Sequence, residues 1–135
     1  MIQRIQTVYL FLASLALILL FFFPYIEITG DDAFVKEETV NLLFTIIPAV
    51  LFLAAIFLFK NRMLQRRVTR IALYFIVALI VSALYFAFYQ NADATQVVQF
   101  EFGGLLPVLS LLFAVLALRG INKDEQLVRS IDRLR

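Results

Sequence analysis

Lys60-Asn61-Arg62-Met63-Leu64-Gln65-Arg66-Arg67-Val68-Thr69-Arg70 holds five basic residues and no acid, and an apolar run flanks it on each side. Short basic segments beside apolar spans stay on the cytoplasmic side during membrane insertion. Read as a cytoplasmic loop, this stretch divides the chain into two hydrophobic halves and gives every other segment its side.

Outward from the loop, Val40–Phe59 is a 20-residue span interrupted by Asn41, Thr45 and Pro48, and Ile71–Tyr89 is a 19-residue span with Ser82 as its only clearly polar member. Pro48 lacks a backbone donor, so a kink is expected there. Ile5–Tyr25 supplies 21 residues, close to the roughly 20 that a helix needs to cross the hydrocarbon core. Arg4 and the run after it fit a signal peptide, but the exit Phe21-Phe22-Phe23-Pro24 lacks the small residues of a cleavage site, so a retained span is expected. The fourth span is the shortest: the run Leu105–Leu118 has 14 residues and is extended to 103–119. Bilayer thinning or packing against longer neighbours accommodates a short span.

Composition agrees. Hydrophobic residues make up 63% of the 135 residues, against roughly 45–50% in soluble domains. A chain this short cannot hide that excess in a water-soluble core. With the loop inside, 11 of 12 basic residues fall on the cytoplasmic side and seven of ten acids on the other, and no ionisable side chain lies deep in a span. Both termini are therefore expected in the cytoplasm. The fold class expected is an all-α integral membrane protein, one domain over 1–135, built as a four-transmembrane-helix bundle with spans 5–25, 40–59, 71–89 and 103–119.

The outer loops are acidic. Tyr25–Thr29 alternates like a strand and Gly30-Asp31-Asp32 is turn chemistry, compatible with a small β-hairpin. Gln96–Phe102 reads as extended and can pair with it. At the other end, Asn122 followed by Glu125 resembles a capping box after Gly120. Leu127, Val128, Ile131 and Leu134 recur at helical spacing between charged residues, so 121–135 is expected to form a cytoplasmic amphipathic helix separate from the fourth span. Twelve residues, Lys123–Leu134, are too few for a stable lone helix in water. That apolar face must therefore be buried, against the bilayer surface or against a partner protein, and its residues are the candidate partner-binding set.

The halves echo each other: Pro48 precedes Lys60, and Pro107 precedes Arg119, by 12 residues in both cases. Convergence explains this better than a parallel repeat does, because any hairpin with both ends inside needs basic ends and apolar middles and matches this short arise by chance.

Little chemistry is available. Absent Cys and His remove thiolate chemistry and the commonest metal ligand and general base. The acids of the first outer loop lack calcium-loop spacing, so a solvated turn is the better account and no metal or cofactor is expected. Polar side chains within the spans are Ser14, Asn41, Thr45, Ser82 and Ser110, of types that usually bond a backbone carbonyl or a neighbouring helix. Small residues four apart, as at Ala78/Ser82, Ala83/Ala87 and Ser110/Ala114, permit close packing of the third span on the fourth. Lys60, Arg62, Arg66, Arg67 and Arg70 set topology and attract anionic lipid headgroups. Nucleic-acid binding is not expected of 11 residues pinned to a membrane.

Met1–Leu10 and Lys123–Arg135 are similar to the two ends of an uncharacterised bacterial family, domain of unknown function 4293, associated with Bacteroidota. The resemblance implies a four-span inner-membrane protein of a Gram-negative cell; it implies no activity and brings no residue roles. Three functional classes remain: a non-enzymatic interaction or scaffold protein with the lipid bilayer and a membrane or cytoplasmic protein as partners, a small transporter or channel component for a neutral or weakly polar solute, and a lipid-acting enzyme. The missing His, Cys and intramembrane charge weigh most against the third.

Overall fold

The computed structural model describes residues 2–28, 31–33, 39–90 and 98–134; Gly30, Glu37, Glu38 and Asp93 of the expected outer loops, and Gln96 and Val97 of the expected extended segment, lie outside them. In chain order the elements are α1 (Ile2–Leu19), β1 (Ile26–Ile28), β2 (Asp31–Ala33), α2 (Thr39–Phe57), α3 (Arg62–Tyr85), β3 (Val98–Phe100) and α4 (Leu106–Arg133). Short turns of tighter or wider helix fill Leu58–Lys60, Phe86–Gln90 and Phe102–Leu105. Three helices are long and apolar enough to cross a membrane, over Thr39–Lys60, Arg62–Phe88 and Phe102–Arg133; α1 is shorter, its apolar part running from Ile5 to Leu19.

The helices form a ring in which α1 lies against α4 and α2, and α3 against α2 and α4. Gln6 of α1 and Arg62 of α3 both bond Asp124 of α4, so the two ends of the chain and the α2–α3 corner share one end of the bundle, the basic end. At the opposite end β1 is the middle strand of a three-stranded antiparallel sheet, with Ile26 opposite Ala33 of β2 and Phe100 of β3. Asp31 and Asp32, expected in a turn, belong to β2.

Each helix buries one narrow stripe whose members alternate four and three residues apart. The stripes are Gln6, Leu10, Ala13, Leu17, Leu20; Asn41, Thr45, Pro48, Phe52, Ala55; Gln65, Thr69, Ala72, Ile76, Leu79; and Ser110, Ala114, Ala117, Ile121, Asp124. A 3.5-residue period is that of knobs-into-holes packing, which keeps one seam facing its neighbours through a left-handed supercoil. The stripes are rich in small and polar residues, while Phe11, Ile18, Leu43, Val50, Val77 and Leu112 face outward. This distribution is inverted relative to a soluble protein. It follows from lipid, which solvates leucine as well as a protein interior does and leaves close packing and hydrogen bonding to join the helices.

Three expectations are corrected. The basic stretch is not a loop: α3 starts at Arg62, nine residues before the expected span, and Asn61 caps it by accepting a 3.2 Å hydrogen bond from the Leu64 amide. Met63, Leu64, Gln65 and the arginines are all good helix formers, so little opposes the extension. The first span ends at Leu19 instead of Tyr25, because Pro24 supplies no amide and biases Phe23 away from helix; the amides of Phe21, Phe22 and Phe23 turn back onto Ile18 and Leu19. The tail is not a separate helix: α4 runs unbroken for 28 residues. Gly120 does not interrupt it, since a Cβ there would lie 2.8 Å from Gln6 Cγ; the glycine serves the close approach of α1. Pro48 lies inside α2 whereas Pro107 lies in the first turn of α4, so the two prolines are not structural equivalents and the echo between halves is left with convergence.

Two glycine variants test this packing. Gly103→Ala drives a Cβ into the carbonyl oxygen of Pro24, backbone that cannot yield, and is expected to lower stability by about 1–3 kcal/mol. Gly120→Ala sets its Cβ 2.8 Å from Gln6 Cγ, side chain rather than backbone, and gains about 1 kcal/mol of helix propensity, so it should cost less than Gly103→Ala. Thermal unfolding in mild detergent compares the two, and equal losses would contradict the description.

Candidate functional site

The basic end is built by the first two turns of α3 meeting the last third of α4. Of the five basic residues singled out from the sequence, Lys60, Arg67 and Arg70 are exposed, while Arg62 and Arg66 are half-buried and turn toward α4. Arg62 Nη1 lies 3.4 Å from the carbonyl oxygen of Asp124, and Arg66 Nη1 lies 2.6 Å from Glu125 Oε2. The latter is an ion pair without the alignment of a hydrogen bond. Glu125 also accepts a 2.8 Å hydrogen bond from Arg129, one turn further along α4. Cations in the first turns of a helix oppose its dipole; the Asp124 carbonyl and the Glu125 carboxylate offset that here.

Beside this pair, Gln6 Nε2 donates a 2.7 Å hydrogen bond to Asp124 Oδ2, and both residues are buried. Gln65, also buried, donates to the carbonyl of Ala55 near the end of α2, and Thr69 donates back to Gln65. Gln6, Gln65 and Asp124 were not candidates from sequence. The signal that would have found them is their place on the four-three stripes, where a polar residue faces inward. Asn122, expected as an N-cap, lies within α4 instead, and its Oδ1 is buried without a hydrogen-bond partner among the described residues.

Leu127, Val128, Ile131 and Leu134 are exposed on the part of α4 beyond this network. With 28 residues, α4 is roughly 42 Å long, against a hydrocarbon core of about 30 Å. The bracing at Asp124 and Glu125 fixes where the helix leaves the bundle, and the apolar face begins in the next turn.

Within the bundle the polar side chains close on one another. Asn41 Nδ2 donates to the Tyr25 hydroxyl at 3.2 Å, and Asn41 Oδ1 lies within hydrogen-bonding distance of the Ser82 hydroxyl, which also reaches the carbonyl of Leu79. A hydroxyl has one proton, so those two acceptors share it. Thr45 donates to the Asn41 carbonyl, Ser14 to that of Phe11, and Ser110 crosses from α4 to the carbonyl of Ala13. Among the described residues no group of three or more acids could hold a metal ion.

The sheet end holds open space. A cavity of about 500 Å³ lies between the outer ends of α1 and α3 and the start of α4. Buried Leu20, Tyr25, Ile26 and Leu79 form its floor, and exposed Leu84, Leu105 and Val108 its rim. Its volume falls within the roughly 300–1,000 Å³ of small-molecule sites.

The two kinds of contact at the basic end should separate on mutation. Asp124→Ala strands the buried Gln6 amide and is expected to lower stability by about 1–3 kcal/mol. Arg66→Ala removes a partly exposed ion pair, expected to contribute only about 0.2–1 kcal/mol. Denaturant titration of each variant in mild detergent measures the difference, and a larger loss for Arg66→Ala would reverse this ranking.

No curated protein and no solved structure matches the chain. The family described as domain of unknown function 4293 matches over residues 2–134, essentially the whole chain. The resemblance carried by the two ends of the sequence thus extends through the apolar middle, and the protein belongs to that family.

Proposed function

We propose that this chain is a non-enzymatic scaffold of the bacterial inner membrane, crossing it four times, whose α4 presents a helical docking face to a protein partner in the cytoplasm. The observation that carries the reading is the continuity of α4. A helix that crosses the bilayer cannot also lie flat in its interface without bending, and α4 is unbroken through Arg133. The face of Leu127, Val128, Ile131 and Leu134 therefore projects from the bundle and suits a protein groove better than a lipid surface. The closed hydrogen bonding of Asn41, Thr45 and Ser82 favours a scaffold over a solute pathway, since these groups already have partners.

Orientation follows from charge. The basic end collects Lys60, Arg62, Arg66, Arg67, Arg70 and the basic residues of α4, and the positive-inside rule assigns it, with both termini, to the cytoplasm. The 18 residues of α1 reach roughly 27 Å; the turn after it and modest local thinning complete the crossing.

Two measurements test this. Reporter fusions after Lys36, Met63, Asp93 and Arg135 should place Met63 and Arg135 inside and Lys36 and Asp93 outside; a periplasmic signal at Met63 or Arg135 overturns the orientation. Paired Leu127→Asp and Ile131→Asp substitutions should leave membrane accumulation unchanged while a stoichiometric co-purifying partner is lost. If the partner stays bound to that variant, the docking face is elsewhere.

A further inference from the structure

We infer that the cavity at the sheet end is a lipid-binding site that takes one acyl chain of a phospholipid whose headgroup carries a primary ammonium, such as phosphatidylethanolamine. The inference rests on the membrane reading above but not on any docking role of α4.

At about 500 Å³ the space is a cleft open on one side, of the size of small-molecule sites. Apolar side chains make up nearly all of the wall, and water needs several polar partners to remain in such a place. An empty cavity would forfeit dispersion contacts along all of its lining. The rim residues Leu84, Leu105 and Val108 are exposed on the apolar outer surface of the helices, where hydrocarbon lies directly against the opening. An acyl chain enters from the side without crossing a polar layer.

The head of the ligand follows from the one charged residue in the wall among the described residues, Glu101. Glu101 sits between β3 and the turn that leads into α4, at the level of the sheet, and is half-buried. Its amide is held by the carbonyl of Tyr25 at 3.3 Å, and Gly103 is held by the carbonyl of Pro24 at 3.0 Å, so the segment is pinned to the floor of the site. A carboxylate in the wall of an apolar slot favours an ammonium head and disfavours a head bearing only negative charge. With the acyl chain between α3 and α4 and the ammonium at Glu101, the ligand bridges the two helices at the sheet end of the bundle.

The test uses the full chain purified in mild detergent from membranes containing both phosphatidylethanolamine and phosphatidylglycerol. Native mass spectrometry reads the retained lipid. Wild type should keep one phosphatidylethanolamine per chain in preference to phosphatidylglycerol. Ala83→Phe, which fills the cavity from α3, should abolish retention, and Val108→Phe, at the exposed rim, does the same should Ala83→Phe fail to fold. Glu101→Gln should keep the chain bound but reduce the headgroup preference by about fivefold. Undiminished retention in a folded cavity-filled variant overturns the site, as does a wild-type chain that fractionates with membranes yet holds no lipid or closes the cavity by dimerising. Equal retention of the two lipids by wild type overturns the ammonium assignment. A chain that does not fractionate with membranes overturns the membrane reading itself, which separates the two failures.

Discussion

Close approach of four helices along stripes of small and hydrogen-bonded residues is the constraint on which the structure depends. Between apolar helices in lipid there is no gain from hiding leucine, so association needs contacts that lipid cannot supply. Ala13, Ala72, Ala114 and Ala117 let backbones approach, and Ser110 spans α4 to α1 by donating to the Ala13 carbonyl. Gly120 extends the same logic to the basic end, where α1 comes near enough for Gln6 to reach Asp124.

The two ends of the bundle solve different problems. At the basic end, charged and amide side chains link all four helices and brace α4 where it leaves the others. The opposite end is closed by strands of three residues each, with the turn at Gly103 and Gly104 lying directly on the backbone of Pro24 and Tyr25. A three-residue strand offers little edge for further pairing, and the apolar cavity opens beside this small sheet. Polar cross-links thus concentrate at one end and open apolar space at the other.

This asymmetry shapes the functional reading. Among the described residues the interior groups Asn41, Thr45 and Ser82 already have hydrogen-bond partners. The features not consumed by the fold are the exposed face of α4 and the apolar cavity beside the sheet, and the proposed docking face and acyl-chain site rest on them.

Membrane class, helix number and the gathering of basic residues at one end are legible in the sequence, because each depends on composition summed over long windows. Hydropathy needs no knowledge of neighbours, and Lys60 to Arg70 announces its charge whatever its conformation. The buried stripes are not legible that way: when a helix is apolar all round, its hydrophobic pattern has no period, and only the minority of polar and small residues reports the inward face. Tertiary contact decided the rest. Gly120 reads as a helix breaker until α1 is packed on it, and Asn122 and Glu125 read as a cap until α4 runs through them. The arginines of α3 read as loop or lipid anchors until Glu125 and the Asp124 carbonyl stand opposite them. In each case the local preference is worth about 1 kcal/mol or less, which a single set of interhelical contacts is enough to override.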